Sequence, residues 1–276
     1  MIFISYKELA ADVITWSESL PRELDVIIGV PRSGMLPASI LALHRNVRLT
    51  TVEMLAQEQV LEGGQRDQHK KIKTGLVIDD SILTGRSLRT AAETLRHVKV
   101  KLFYAGVYLK PGAESTYLYH RKVPIPRIFE WNWLHSYWSQ RACFDIDGVL
   151  CRDPTSEEND DGLRYRKFIH TATPKHIPTV EIHTLVTSRL EKYRIDTAKW
   201  LDKYKIRYQS LIMHPAGTKQ ARMQAGDHAQ RKADAYIKSG CHLFVESSTR
   251  QAKTIAEIAK RPVLCTATMQ LHGPSQ

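Results

Sequence analysis

Short β-branched runs alternate with helix-period segments along this chain, and the alternation occurs twice. Val26-Ile-Ile-Gly-Val30 is an unbroken apolar run, the pattern of a strand buried on both faces, and Pro37 to His44 continues as a helix. Gly75 to Asp79 predicts a second strand, Ser87 to Val98 a helix with Leu88, Ala91, Ala92 and Leu95 on its apolar face, and Val100 to Leu109 a third strand. The pattern restarts with strands at Arg141–Asp145 and Ile182–Thr187. A helix over Leu190–Tyr204 follows, then a strand at His242–Glu246, a helix over Thr249–Lys260 and a last strand at Pro262–Cys265. Strands separated by helices predict an α/β protein of two doubly wound, mostly parallel-sheet domains. Between the first two strands runs a polar, glycine-containing stretch, Gln57 to Lys71, long enough for a lid. Lys110 to Gln140 is rich in Tyr, Trp and Pro, and this shift places the domain boundary near residue 140: 1–140 and 141–276.

Composition narrows the class. Apolar residues make up 42% and charged residues 25% of the 276, which excludes a disordered tail, a collagen-like repeat and a disulfide scaffold. No run reaches the roughly 18 apolar residues of a membrane span, and the start lacks the basic and apolar regions of a signal peptide. Four cysteines without CxxC or metal-ligand spacing read as reduced thiols, so a cytoplasmic protein is expected. The net charge of +11 divides into about +4 and +7 across residue 140, so neither half is a basic tail. Phosphorylated small molecules and nucleic acid both suit that charge.

Candidate chemistry in the first half centres on Leu76-Val-Ile-Asp79-Asp80-Ser-Ile-Leu-Thr84-Gly85-Arg86-Ser87. A buried strand ends in two carboxylates and a short turn opens a helix. Ligands of open α/β sheets bind beyond the strands' carboxyl ends. Adjacent carboxylates suit vicinal ribose hydroxyls or magnesium, and the turn's backbone N–H groups suit a phosphate. Taken singly, Asp79-Asp80 also reads as a helix-capping turn and Gly34 as a packing glycine. Together these residues resemble the phosphoribosyl-pyrophosphate (PRPP) motif of type I phosphoribosyltransferases, with a departure at Leu83, where that family usually has a small residue. Upstream, Gly29-Val-Pro-Arg32-Ser33-Gly34 resembles the family's pyrophosphate loop, and Gly63 to Lys73 matches its lid in position. The resemblance spans about residues 20 to 140. It implies that a nucleobase nitrogen displaces pyrophosphate from PRPP, with Arg32, Ser33, Gly34, Asp79, Asp80, Thr84, Gly85, Arg86 and Ser87 holding PRPP. Arg66, Lys70, Lys71 and Lys73 would cover the leaving pyrophosphate. The aromatic run Phe129-Glu-Trp131-Asn-Trp133 reads either as a base-stacking hood or as aromatic core.

The second half offers Cys143-Phe-Asp145-Ile-Asp147-Gly148-Val149, two carboxylates on one face just past a strand. One carboxylate can attack phosphorus while the other protonates the leaving oxygen. The segment resembles motif I of haloacid-dehalogenase-like (HAD) phosphatases. That resemblance implies a capless Rossmannoid domain with catalytic Asp145, Asp147, Thr187 and Lys232, Lys219 being the competing lysine. It also implies Mg²⁺ on Asp145, Asp147 and Glu246. Glu246-Ser247-Ser248 departs from the family's usual pair of acids, although serine can orient a bound water. The two acidic pairs at 157–158 and 160–161 read as a solvated loop. The leading expectation is a bifunctional enzyme of nucleotide or nucleoside metabolism, transferring phosphoribosyl from PRPP to a nucleobase and hydrolysing a phosphomonoester through an aspartyl-phosphate. Two alternatives stay open: a phosphatase acting on nucleic-acid ends, and a nucleotide-sensing regulator without turnover. Small molecules are the expected partners. Nucleic acid and an oligomer are compatible with the sequence, and a membrane is not expected.

Overall fold

The computed structural model describes residues 1–61, 71–113 and 116–273, so Arg66 and Lys70 of the expected lid lie outside the described residues. The chain divides into two compact units, Met1–Arg127 and Ile128–Gln276. The division falls ahead of residue 140, and aromatic packing gives the reason. Trp133 stacks on Phe144 with ring centroids 6.2 Å apart, and Trp138 meets His242 edge-on at 5.9 Å. The aromatic segment therefore belongs to the second unit's own core. Trp133 is 6% exposed, which corrects its reading as a base-stacking hood.

The first unit runs β1 (Ile2–Ile4), α1 (Tyr6–Ser17), β2 (Val26–Gly29), α2 (Met35–Arg45), β3 (Arg48–Thr51) and α3 (Val52–Ala56). It continues with β4 (Thr74–Ile82), α4 (Arg86–Thr94), β5 (Lys101–Leu109) and β6 (Leu118–Lys122), and β7 (Arg127–Phe129) straddles the division. Its five-stranded sheet has the order β3-β2-β4-β5-β6, and every neighbouring pair is parallel. The strand order reverses between β2 and β4. A ligand crevice opens at such a reversal, beyond the carboxyl ends of the two strands. Helix α1 carries a start signal that periodicity alone passes over: the Ser5 hydroxyl accepts from the Glu8 amide at 3.1 Å. Leu9, Val13 and Trp16 then bury one face.

The second unit runs β8 (Ala142–Phe144), α5 (Leu163–Thr171), β9 (Ile182–Leu190), α6 (Arg194–Lys203), β10 (Tyr208–His214) and α7 (Lys219–Ala225). It ends with α8 (His228–Ser239), β11 (Leu243–Glu246), α9 (Thr249–Ala259), β12 (Val263–Cys265) and β13 (Gln270–His272). The sheet order is β10-β9-β8-β11-β12-β13, parallel except for β13. Here the order reverses between β8 and β11, which end beside Asp145 and at Glu246. Helix α6 begins later than its apolar period implies, because Leu190 still belongs to β9 and a 3₁₀ turn covers Glu191–Tyr193. The stretch after Val149 contains one helix, α5, packed on α6. All four cysteines are free and buried. No helix among the described residues is long and apolar enough to cross a membrane.

Candidate functional sites

At the first reversal, a cavity of about 280 Å³ is lined by Pro31–Ser33, Asp79, Asp80 and the Thr84–Ser87 turn. Every residue that the sequence assigned to PRPP lines it except Gly34, which lies behind the wall. A Cβ on Gly34 would meet the carbonyl oxygens of Val30 and Ile78 at 2.6 and 2.7 Å. Neither strand end can recede, so glycine is what lets the loop lie against β4. Gly34→Ala should displace Arg32 and Ser33, and because misplacement of about 1 Å at a reacting centre costs about 10²-fold, kcat/KM for PRPP should fall by that order. Titration of PRPP in an initial-rate assay checks this.

Gly85 sits at φ +70° as the cap of α4, a conformation that favours glycine. The Arg89 guanidinium donates to the Thr84 carbonyl at 3.0 Å and braces the turn. The turn thus presents the start of α4, and the Arg32–Gly34 loop presents the start of α2. Both helix ends favour anions. Leu83, the departure from the family pattern, is half exposed beside the turn.

The paired acids are nearly buried, Asp79 at 8% and Asp80 at 6% exposure, and the Asp80 amide donates to Asp79 Oδ1 at 2.8 Å. Burial, reinforced by the charge of Asp80, pushes the Asp79 carboxyl up to about 8. An acid whose folded pKa lies above its unfolded value keeps a proton that the unfolded chain has lost. Stability from this group therefore falls as pH rises from the ordinary carboxylate range to about 8, and levels off above it. Chemical denaturation between pH 5 and 9 should show that decline, and Asp79→Asn should flatten it.

At the second reversal, a cavity of about 440 Å³ opens beside Asp145, Asp147, Lys232 and Glu246. Lys232 reaches in from α8 and donates to Asp145 Oδ2 at 2.7 Å and to Glu246 Oε2 at 2.6 Å. All three side chains are buried. Burial works against the ammonium charge, yet the two carboxylates hold the Lys232 pKa above the ordinary lysine value. Burial also pushes the Asp145 carboxyl up, against the pull of Lys232. The competing lysine is elsewhere: Lys219 Nζ donates to the Asn159 carbonyl and its amide to Asp161. Thr187 is 5% exposed on β9, with its hydroxyl accepting from the Arg189 amide at 3.2 Å. That bond uses an acceptor site of the hydroxyl, and Ser188 rather than Thr187 lines the cavity.

Three features escaped the sequence reading. Arg189, fully buried, grips Asp147 through Nε at 3.1 Å and Nη2 at 2.6 Å. The Asp147 carboxylate is therefore turned to Arg189 while still lining the cavity. Asp153 lines the same cavity and faces Gly148 and Ser247. Three of the four acidic residues at 157–161 make specific contacts, while Glu157 is exposed as expected. Glu158 pairs with Arg152, Asp160 accepts the Gly162 and Tyr165 amides, and Asp161 pairs with Lys192.

Asp145, Asp153 and Glu246 line this cavity with oxygen donors of the kind a hard cation takes, but among the described residues they do not converge into a three-ligand cluster. A different trio, His214, Asp227 and His228, brings its donor atoms within 4.8 Å of one another. The Ala216 amide donates to His214 Nδ1 at 3.1 Å, so in the neutral ring Nε2 carries the proton that meets Asp227 Oδ1 at 3.2 Å. That tautomer points a proton, not a lone pair, into the cluster.

Residues 2–136 match the Phosphoribosyl transferase domain family. A xanthine-guanine phosphoribosyltransferase from Chromohalobacter salexigens is 30% identical over 113 residues, covering 39% of this chain and 67% of that protein. Among solved structures, the Helicobacter pylori xanthine-guanine-hypoxanthine phosphoribosyltransferase is 21% identical with a TM-score of 0.36, covering 48% of this chain and 91% of that one. A purine phosphoribosyltransferase from Pyrococcus horikoshii is 20% identical with a TM-score of 0.37, covering 47% and 92%. Through its first half, the chain belongs to the phosphoribosyl transferase domain family.

Proposed function

We propose that this chain unites two phosphate chemistries: PRPP-dependent phosphoribosyl transfer to a purine-type base, and magnesium-dependent phosphoryl hydrolysis through an aspartyl-phosphate. Family membership supports the transfer, and the Chromohalobacter relative supports the purine acceptor. One observation carries the hydrolase half: Lys232 bridges Asp145 and Glu246 at the point where the second sheet reverses its strand order. The four buried free thiols suit a reducing cytoplasm.

In the first unit, Asp79 and Asp80 accept from the ribose hydroxyls while the Arg32–Gly34 loop and the Thr84–Ser87 turn hold the phosphates. As the base nitrogen bonds to the anomeric carbon, the pyrophosphate oxygen leaves with the bonding pair. Arg32, Arg86 and the two helix ends face the charge that gathers on it. In the second unit, Asp145 attacks phosphorus and Thr187 donates to a phosphoryl oxygen. Lys232 balances the charge of Asp145 and Glu246, and Arg189 fixes the orientation of Asp147, the leaving-group acid. Water then cleaves the aspartyl-phosphate. Magnesium would be held by Asp145, Glu246 and Asp153, where it supplies charge neutralisation between a carboxylate nucleophile and an anionic phosphate.

The test supplies the full chain with magnesium, PRPP and a panel of nucleobases, and follows nucleotide by chromatography. A purine nucleotide should form; if none does, the transferase reading falls. In a separate arm, p-nitrophenyl phosphate should release nitrophenol, and its inertness would remove the hydrolase reading.

A further inference from the structure

Two cations in the second cavity have no part in the chemistry described above. Arg222, on α7, donates from Nη1 to the carbonyl of Ser188 at 2.7 Å, one residue past Thr187. Lys175, just after the bridge that pairs Cys151 with Pro174, donates from Nζ to the carbonyl of Gly148 at 3.0 Å, one residue past Asp147. Both side chains line the cavity that holds Asp145. The Arg222 tip is thus tethered to β9 beside Thr187, and the Lys175 tip to the turn beside Asp147, two residues that would handle the transferred phosphoryl group.

Neither cation has a carboxylate within ion-pair distance among the described residues, although Asp153 feels the charge of Lys175 from further away. This contrasts with Lys232 and Arg189, whose charges are matched by Asp145, Glu246 and Asp147. Arg222 Nε is buried without a hydrogen-bond partner, and a guanidinium has five N–H donors of which one is committed here. Lys175 likewise has two N–H donors beyond its bond to Gly148. Spare cationic donors on α7 and on the segment ahead of β9, both lining the cavity of the nucleophile, suit a second anionic group beside the one attacked.

We infer that this cavity takes a substrate with a second phosphoryl group next to the transferred one, a phosphoanhydride, with Arg222 and Lys175 gripping the second group. The inference rests on the hydrolase reading and narrows its substrate from phosphomonoesters in general. Asp145 bonds to the terminal phosphorus and the bridging P–O bond breaks. The electron pair leaves on the released phosphate, held by Arg222 and Lys175. Water then hydrolyses the aspartyl-phosphate, releasing the transferred group as orthophosphate and restoring the Asp145 carboxylate. Inorganic pyrophosphate, the leaving group of phosphoribosyl transfer, is the smallest member of this class, and its removal would draw that reaction forward.

The experiment compares kcat/KM of the full chain with magnesium on inorganic pyrophosphate, a nucleoside diphosphate, a nucleoside monophosphate, p-nitrophenyl phosphate and an oligonucleotide bearing a terminal phosphate. At least one phosphoanhydride should exceed the monophosphate about tenfold or more, a preference of about 1.4 kcal/mol. Which of the two anhydrides leads tells free pyrophosphate from a nucleotide. Arg222→Ala and Lys175→Ala should each lower the ratio of phosphoanhydride to p-nitrophenyl phosphate turnover, and Arg222→Lys should restore part of it. Equal losses on both substrates, or a preference for the monophosphate or the oligonucleotide, overturns the inference while leaving the hydrolase reading intact. Inertness toward all five removes the hydrolase reading itself.

Discussion

Asp145→Asn is expected to lower phosphoryl hydrolysis by about 10⁴-fold, the scale seen when a nucleophilic constellation loses a member. An amide oxygen is a poor nucleophile toward an anionic phosphate, and the amide cannot offer Lys232 a charge. The change is nearly isosteric, and the Ile146 amide that donates to Asp145 Oδ1 at 2.8 Å can still find an oxygen there. The fold should therefore survive, and a melting curve close to the wild type is part of the expectation. Phosphoribosyl transfer uses none of these atoms and should continue. Initial rates on p-nitrophenyl phosphate, read beside nucleotide formation from PRPP, check both statements.

Lys232→Met is expected to damage stability as well as turnover. The ammonium is 3% exposed and lies between two carboxylates that are 6% and 1% exposed. Removing one partner of a buried pair leaves uncompensated charge, which costs about 3–5 kcal/mol. The loss should appear as a lower denaturation midpoint for the second unit. Protonation of the orphaned acids relieves the penalty, so Lys232→Met should lose less stability, relative to wild type, as pH falls. A double variant, Lys232→Met with Glu246→Gln, should recover part of the loss, since one of the two unpaired charges is then gone. If the single variant melts with the wild type, the Lys232 bridge is not the element that holds the site.

The parts of these sites that were legible in the sequence are those whose position follows from a strand ending. Asp79, Asp80 and Asp145 stand at or just past the ends of apolar runs, and Glu246 closes one. A parallel sheet delivers such residues to one edge whatever the rest of the chain does. Lys232 was legible through family spacing alone, because its helix, α8, has no capping or apolar signal that isolates the lysine. Arg189, Asp153, Lys175 and Arg222 were not legible. Three of these side chains are placed by partners distant in sequence: 42 residues for Arg189 and Asp147, 27 for Lys175 and Gly148, and 34 for Arg222 and Ser188. No local period encodes such distances. The compact division at Arg127–Ile128 falls ahead of the boundary expected near residue 140 for a related reason. Aromatic enrichment signals a change of surroundings but not which core the rings enter, and Trp133 enters that of Phe144.

The separability of two phosphate chemistries in one chain is tested most directly by a single time course. Wild type, Asp145→Asn and the double variant Asp79→Asn/Asp80→Asn are each given magnesium, PRPP, a purine base and p-nitrophenyl phosphate, and nucleotide and nitrophenol are counted together. The wild type should make both, Asp145→Asn nucleotide alone, and the Asp79/Asp80 variant nitrophenol alone. Nitrophenol release undiminished in Asp145→Asn, or nucleotide formation undiminished when Asp79 and Asp80 are both replaced, would contradict the account.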